Sequence, residues 1–347
     1  MNPTTDGSAD VPSAAAAGSR AAPGPQRLGL PGNDVQLSAL RWSSGAATPP
    51  SVLLHHGLAS SAGFWGPVAT QLARGEPGDG VIAGASPGVA GDFAPGRDVV
   101  ALDARGHGES DRPDDGFDMA TVAADLHAAL TALGWASPGG NPPVLVGHSW
   151  GGNVVLEYAT RHPEVAAGIV LVDGGFLELG QMSWEQTERE LAPPSFGVMT
   201  WPEFAARATG WWGAAGWTPA VEDAIHHNFE DLPDGTVRPR LSRERHMRIL
   251  RGMWEQRPAD LYSAVRCPVF MVPARRAGAE GREREFIARK VDAVSRAEAT
   301  LRGAGVPVTV EWFEDSVHDI PLQRPARLAS RVQAFIGTLP TPRGDGR

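Results

Sequence analysis

Four short apolar runs, at 51–56, 98–103, 144–146 and 168–172, punctuate the first half of the chain, and each ends in a cluster of Gly, His, Ser or Asp. Unbroken Val- and Leu-rich runs of this length predict parallel strands covered on both faces. The stretches between them change to helical spacing. A helix is expected over about 63–74, and another over 119–133, where Val122, Leu126, Ala129, Leu130 and Leu133 share one face. A third is expected after 152, with Val155, Tyr158 and Ala159 on one side and Pro163 as its stop. Alternation with period two over 35–42 predicts an antiparallel edge strand. The pattern resumes late, with a strand at 268–273, a charged helix at about 283–301, a strand at 306–313 and a helix at 325–339 carrying Leu328, Val332, Phe335 and Ile336. Strands alternating with helices at this spacing mean an α/β fold, a doubly wound and mostly parallel sheet with right-handed crossovers.

The alternation stops between 176 and 265. This block holds six of the eleven tryptophans and reads as short helices without strands, with Met247, Leu250 and Trp254 in register along 241–256. It is expected to be a helical lid. The organisation is then a tail at 1–25, the first part of the core at 26–175, a helical cap at 176–265, the second part of the core at 266–339, and a tail at 340–347. A Gly-, Ala- and Pro-rich stretch at 75–96 has no period and reads as a long surface insertion.

Composition narrows the function. A formal net charge of −9 argues against nucleic acid as a partner, which needs a basic face. Lysine occurs once, at Lys290, which argues against a P-loop or a lysine Schiff base. Cys267 stands alone, so there is no intramolecular disulfide framework and no cysteine-based zinc site; an inert buried thiol is expected. Residues 1–25 have neither an apolar core nor a basic start and do not read as a secretory signal. They are expected to be disordered. No apolar run approaches the ~20 residues of a membrane span, and a cytoplasmic location is the default. The chain has no GxGxxG after a strand and no HExxH, so no cofactor or metal is expected; a small-molecule substrate is the expected partner.

The chemistry centres on Gly147-His148-Ser149-Trp150-Gly151, where the third apolar run meets a helix. Small residues on either side of a serine at a strand-to-helix turn form a nucleophile elbow, which pushes the hydroxyl out above the sheet. A serine hydroxyl is a weak nucleophile at its ordinary pKa. It needs a histidine base, an acid to orient the base, and N–H donors for an oxyanion.

With this elbow, the motifs His56-Gly57, Asp103-Ala104-Arg105-Gly106-His107-Gly108-Glu109-Ser110 and Ser316-Val317-His318-Asp319 follow one another in an order that resembles the α/β-hydrolase fold family, capped branch, over 35–339. The resemblance implies a serine nucleophile, a histidine base in the loop after the last strand, and an acid after one of the two strands before it. Ser149 and His318 take the first two places. His55, His56, His107 and His148 sit at strand ends and read as groups that stabilise turns or flank the site. His226, His227 and His246 lie in the lid without partners that point to a metal.

For the acid the chain departs from the commonest pattern. The loop after 268–273 holds no Asp, and only Glu280 is available there. The preceding strand ends in Asp173-Gly174-Gly175, and an acid at that strand end is the alternative used in relatives such as haloalkane dehalogenases. Asp173 is preferred, with Glu280 as the alternative acid. The competing reading of Asp173 is a turn cap. Position alone assigns the oxyanion hole to the backbone N–H groups of Leu58 and Trp150, while Asp103 and Arg105 are expected to stabilise a turn. A serine at the elbow argues against dehalogenase and epoxide hydrolase chemistry, whose ester intermediate needs a carboxylate nucleophile. Hydrolysis of an ester, thioester, lactone or amide is expected. The alternatives are a carbon–carbon bond hydrolase or a ligand-binding protein that has lost turnover.

Overall fold

A computed structural model of the chain describes residues 24–43, 47–75, 96–137, 140–195, 197–212 and 216–340. The expected tails and the expected surface insertion fall almost wholly outside them. In chain order the core begins with β1 (Gln26–Pro31), β2 (Gln36–Trp42), β3 (Val52–His55), α1 (Gly66–Arg74), β4 (Val99–Leu102), α2 (Met119–Ala132), β5 (Val144–His148), α3 (Trp150–Arg161) and β6 (Gly168–Val172). An inserted block follows, with α4 (Trp184–Leu191), β7 (Met199–Thr200), α5 (Trp201–Trp212), α6 (Pro219–His226), β8 (Phe229–Asp231), β9 (Thr236–Pro239), α7 (Arg243–Glu255) and α8 (Pro258–Leu261). The core closes with β10 (Val269–Val272), β11 (Ala274–Arg275), α9 (Gly281–Gly303), β12 (Val308–Val310), β13 (Phe313–Glu314), α10 (Ile320–Gln323) and α11 (Pro325–Thr338).

The main sheet has the order β1-β2-β4-β3-β5-β6-β10-β12. β1 pairs antiparallel with β2 and β2 with β4, and every other neighbour is parallel. The central strands are buried along their whole length, which is why their sequences are unbroken apolar runs. Their side chains still alternate between two faces. Along β5, Leu145 packs with α2, α3 and α9, whereas Val144 and Val146 pack with α1 and α11 on the other side. Each such side chain removed from water contributes about 1.5–3 kcal/mol. The two layers of helices therefore fix the sheet, and the sheet's carboxyl edge is where the loops carrying polar residues gather.

Three expectations are corrected. The strand expected at 35–42 as an edge, β2, lies between β4 and β1, and β1 was not foreseen because only Leu30 of it is fully buried and Gly29 and Pro31 break any alternation. The inserted block is not purely helical, because β7, β9 and β8 form a three-stranded antiparallel sheet with a small core of Met199, Phe204, Phe229 and Val237. The strand expected over 306–313 is two short strands, with β13 turning away from the main sheet to pair with β11. Among the described residues no helix is long and apolar enough to cross a membrane.

Candidate active site

The path from β5 into α3 turns at Ser149, which sits at φ 54° and ψ −122°. A serine in that region is strained, and such strain persists only where neighbours enforce it. Here the close approach of backbone does so. A Cβ at Gly147 would run into the Gly151 carbonyl, and one at Gly174 would run into the Ser149 carbonyl. The backbone of Trp150 begins α3, so its N–H has no acceptor within the helix. Leu58 follows the exit of β3 and lines the same cavity as Ser149.

His318 lies in the loop between β13 and α10, at the same sheet edge. Its Nδ1 donates to Asp173 Oδ2 at 2.7 Å. Asp173 leaves β6 with φ 45°, and its side chain is 1% exposed, whereas about half of the His318 side chain, 52%, opens to the cavity. The other oxygen, Oδ1, accepts from the Ala274 backbone N–H at 2.8 Å and from Lys290 Nζ at 2.7 Å. Burial works against ionisation of Asp173, but the His318 hydrogen bond and the charges of His318 and Lys290 outweigh it and hold the carboxyl down at about 2. For His318, enclosure opposes the charged imidazole. The bond and charge of Asp173 overcome this with help from Asp319, so its pKa is raised above the ordinary value. Asp319 itself is pushed up, mainly by burial.

Glu280, the other candidate acid, is exposed at the start of α9 and makes no hydrogen bond to His318. The loop position after β10 that lacks an Asp holds Ala274, whose backbone serves Asp173 instead. No direct hydrogen bond joins Ser149 to His318, although both line one cavity of about 660 Å³ and a second of about 480 Å³.

The flanking histidines are held neutral. His148, lowered to about 3 chiefly by burial, donates from Nε2 to the His318 carbonyl at 2.9 Å and stacks on Phe64. It thus anchors the loop that carries His318. His56 donates from Nδ1 to the Gly57 carbonyl and accepts the Ala104 N–H on Nε2, tying the exits of β3 and β4 together. His55 and His107 are lowered to about 4 and about 3, again mainly by burial. His107 stacks on Trp150, with ring centroids 5.3 Å apart. Asp103 accepts from the N–H groups of Ala62 and Glu109, and Arg105 forms a two-bond pair with Asp125, so both residues fix a turn. Cys267 is buried and its thiol is pushed up to about 12 by that burial. No cluster of three or more His, Cys, Asp or Glu among the described residues could hold a metal.

The inserted block supplies much of the cavity walls. Glu190, Phe204, Ile225, Phe229 and Arg240 face the larger cavity, while Leu177, Leu179, Leu250 and Met253 join Phe286 and Ile287 around the smaller one. Among the described side chains no tryptophan lines either cavity. Trp201 and Trp217 both donate to Glu222, and Trp254 donates to the Met182 carbonyl, so these rings hold the block together. The residue that sequence reasoning missed is Lys290. Its signal was its isolation as the one lysine among 31 basic residues.

Several known proteins resemble this chain. It is 45% identical over 75 residues to a non-heme chloroperoxidase of Streptomyces lividans, covering 21% of this chain and 25% of that protein. It is 33% identical over 75 residues to a soluble epoxide hydrolase of Corynebacterium sp. (strain C12), covering 22% of this chain and 24% of that protein. These alignments span about a quarter of each relative's length. Among solved structures, E-2-(acetamidomethylene)succinate hydrolase superposes with a TM-score of 0.67 at 18% identity, over 90% of this chain and all of that one. An esterase from Rhodococcus sp. ECU1013 gives 0.58 at 23% identity, over 90% and 99%. At these identities the likeness is one of fold. Residues 52–331 match the model of the alpha/beta hydrolase family, and with this sheet order and an elbow at its centre the chain belongs to that family.

Proposed function

We propose that the protein is a serine hydrolase that cleaves an ester, thioester, lactone or amide of a small, largely apolar substrate through an acyl-enzyme, with Ser149, His318 and Asp173 as its triad. The observation that carries this reading is the 2.7 Å bond from His318 Nδ1 to Asp173, beside the cavity into which the strained Ser149 turn projects. Donation from Nδ1 leaves Nε2 as the ring's acceptor. Nε2 takes the Ser149 proton as Oγ attacks the acyl carbon, and Asp173 stabilises the imidazolium that forms. The N–H groups of Leu58 and Trp150 receive the oxyanion. His318 then gives its proton to the leaving group, and water repeats the sequence on the acyl-enzyme. Substrate closes the gap between Ser149 and His318, since catalytic hydrogen bonds often tighten only in the complex.

The inserted block acts as a lid, and its leucines together with Phe286 and Ile287 give the smaller cavity an apolar wall suited to an acyl chain. Opening an epoxide through an ester intermediate needs a carboxylate nucleophile. Position 149 carries a hydroxyl, so the likeness to an epoxide hydrolase does not bring that reaction to this chain. A fluorophosphonate probe and p-nitrophenyl esters of graded chain length test the proposal. The wild type is expected to label on Ser149 and to turn over esters, and Ser149→Ala to lose both. A folded wild type that neither labels nor hydrolyses any acyl substrate overturns it.

A further inference from the structure

The carboxylate of Asp173 has an acceptor already engaged on each oxygen before Lys290 is counted, by the Ala274 N–H on Oδ1 and by His318 on Oδ2. Each oxygen thus has one donor without Lys290. Yet α9 delivers the ammonium to 2.7 Å from Oδ1 and 3.0 Å from the Ala274 carbonyl, with only 6% of the side chain exposed. Burying an ammonium costs several kcal/mol unless the site supplies compensation. This one has an anion, a carbonyl and the Phe286 ring, whose centroid lies 5.3 Å from Nζ. Two oxygens and a ring face suit the three donors of an ammonium. In a chain that otherwise uses arginine for every basic residue, the one lysine stands at this point.

We propose that Lys290 is a positioning residue for His318: its ammonium pins Asp173 through Oδ1 so that Oδ2 stays aimed at Nδ1, and its charge offsets part of the carboxylate's pull on the imidazolium. The proposal rests on the reading of His318 as the base. With Asp173 and a protonated His318 alone the buried group is neutral. With Lys290 it carries one positive charge, and that disfavours protonation before substrate arrives. The base is then free at lower pH than the Asp173 pair alone would allow. The other titratable and charged groups around His318 are Asp319 beside it, His148 from β5 with ring centroids 4.7 Å apart, Arg276, Glu283 and His246 on the smaller cavity, and Glu190, Arg240, Arg243 and His107 on the larger. Of these, Lys290 is the cation bonded to the same carboxylate.

The test needs no substrate. ¹⁵N NMR titration of the imidazoles, with His318 assigned by its loss in His318→Asn, compares the wild type with Lys290→Met, Lys290→Gln and Lys290→Arg. In the Met and Gln variants the His318 pKa is expected to rise by roughly one unit, and in the Arg variant to stay near the wild-type value. The acid limb of kcat/KM should move with it. Folded Met and Gln variants with an unchanged or lowered His318 pKa overturn the proposal, as does an Arg variant that shifts as far as Met. If the variants do not fold, the wild type still decides. Lysine labelled at Nζ gives a single resonance, and it should shift with the midpoint of His318; a signal flat through that titration overturns the proposal. Failure of the wild type to hydrolyse esters bears on the proposed activity and leaves the titration result standing.

Discussion

The backbone N–H of Ala274 donates to the carboxylate of Asp173 at 2.8 Å, across the ends of two neighbouring strands. β6 and β10 run parallel with Val172 beside Val272, so Asp173 and Ala274 leave the sheet one position apart. The strand end without an acid thus holds the acid of its neighbour in place. A short side chain at φ 45° reaches His318 because both its ends are fixed, by the Asp173 N–H on the Val272 carbonyl and by the bonds to Oδ1.

Exchange of the two candidate acids separates their roles. Asp173→Asn keeps the shape but offers His318 an amide, which favours the wrong tautomer, and a loss of kcat of ~10⁴ is expected. Glu280→Gln changes an exposed residue with no bond to His318, and kcat should match the wild type. Steady-state kinetics on one ester measure both. The reverse pattern would move the acid to the loop before α9.

The pH dependence has a definite sign. A histidine base works only when neutral, and Asp173 raises the pKa of His318 above the ordinary 6.5. In the free enzyme kcat/KM should therefore rise with pH along an acid limb whose midpoint lies above 6.5. Asp319 contributes to that rise, so Asp319→Asn should move the limb to lower pH. A pH profile of kcat/KM for both proteins checks this, and a limb that stays in place would remove Asp319 from the electrostatics of the site.

The sequence made the centre of the fold legible because its central strands are buried on both faces, so β3, β4, β5, β6 and β10 are plain apolar runs. Elements with little buried surface left no such trace. β1 buries Leu30 alone, and the strands of the inserted block are two to four residues long, too short to display a period. For the site, Ser149 was legible through its small neighbours and His318 through its place after the last strand. Lys290 was not, because α9 has ordinary helical spacing and the partner of Lys290 lies 117 residues away. Trp201, Trp217 and Trp254 are bonded within the block, and aliphatic side chains with Phe286 form the apolar cavity wall.

Arg105 and Asp125 make a pair of bonds at 2.6 and 2.7 Å with both side chains at most 4% exposed. The pair fixes the turn after β4, and Asp125 also holds the Asn33 N–H between β1 and β2. Arg105→Ala leaves a buried carboxylate without its cation, and a stability loss of about 3–5 kcal/mol is expected. Urea unfolding measures it. The turnover number of the protein that remains folded should change little, since Arg105 does not line either cavity.

The two cavities share Ser149, Leu58, Leu191, His246 and His318, so under the proposed reaction a substrate at Ser149 would have two directions in which to extend. The smaller has a wall of aliphatic residues and Phe286 beside Arg276, Glu283 and Lys290, while the larger sets Glu190, Arg240, Arg243 and Asp319 beside Phe204, Ile225 and Phe229. Removing a methylene from water is worth about 0.8 kcal/mol, so under the proposed hydrolysis the acyl chain is expected against the aliphatic wall of the smaller cavity and the departing alcohol in the larger. Ile287→Trp narrows the smaller cavity. It should lower kcat/KM for p-nitrophenyl octanoate by roughly tenfold or more while sparing the acetate, because several methylenes lose their place at about 0.8 kcal/mol each. Ala192→Trp, in the wall of the larger cavity, should leave the acyl chain-length preference as it is and instead penalise bulky alcohols. Chain-length and alcohol series measured on both variants decide the matter, and a preference that shifts with Ala192→Trp but not with Ile287→Trp would reverse the assignment of the two cavities.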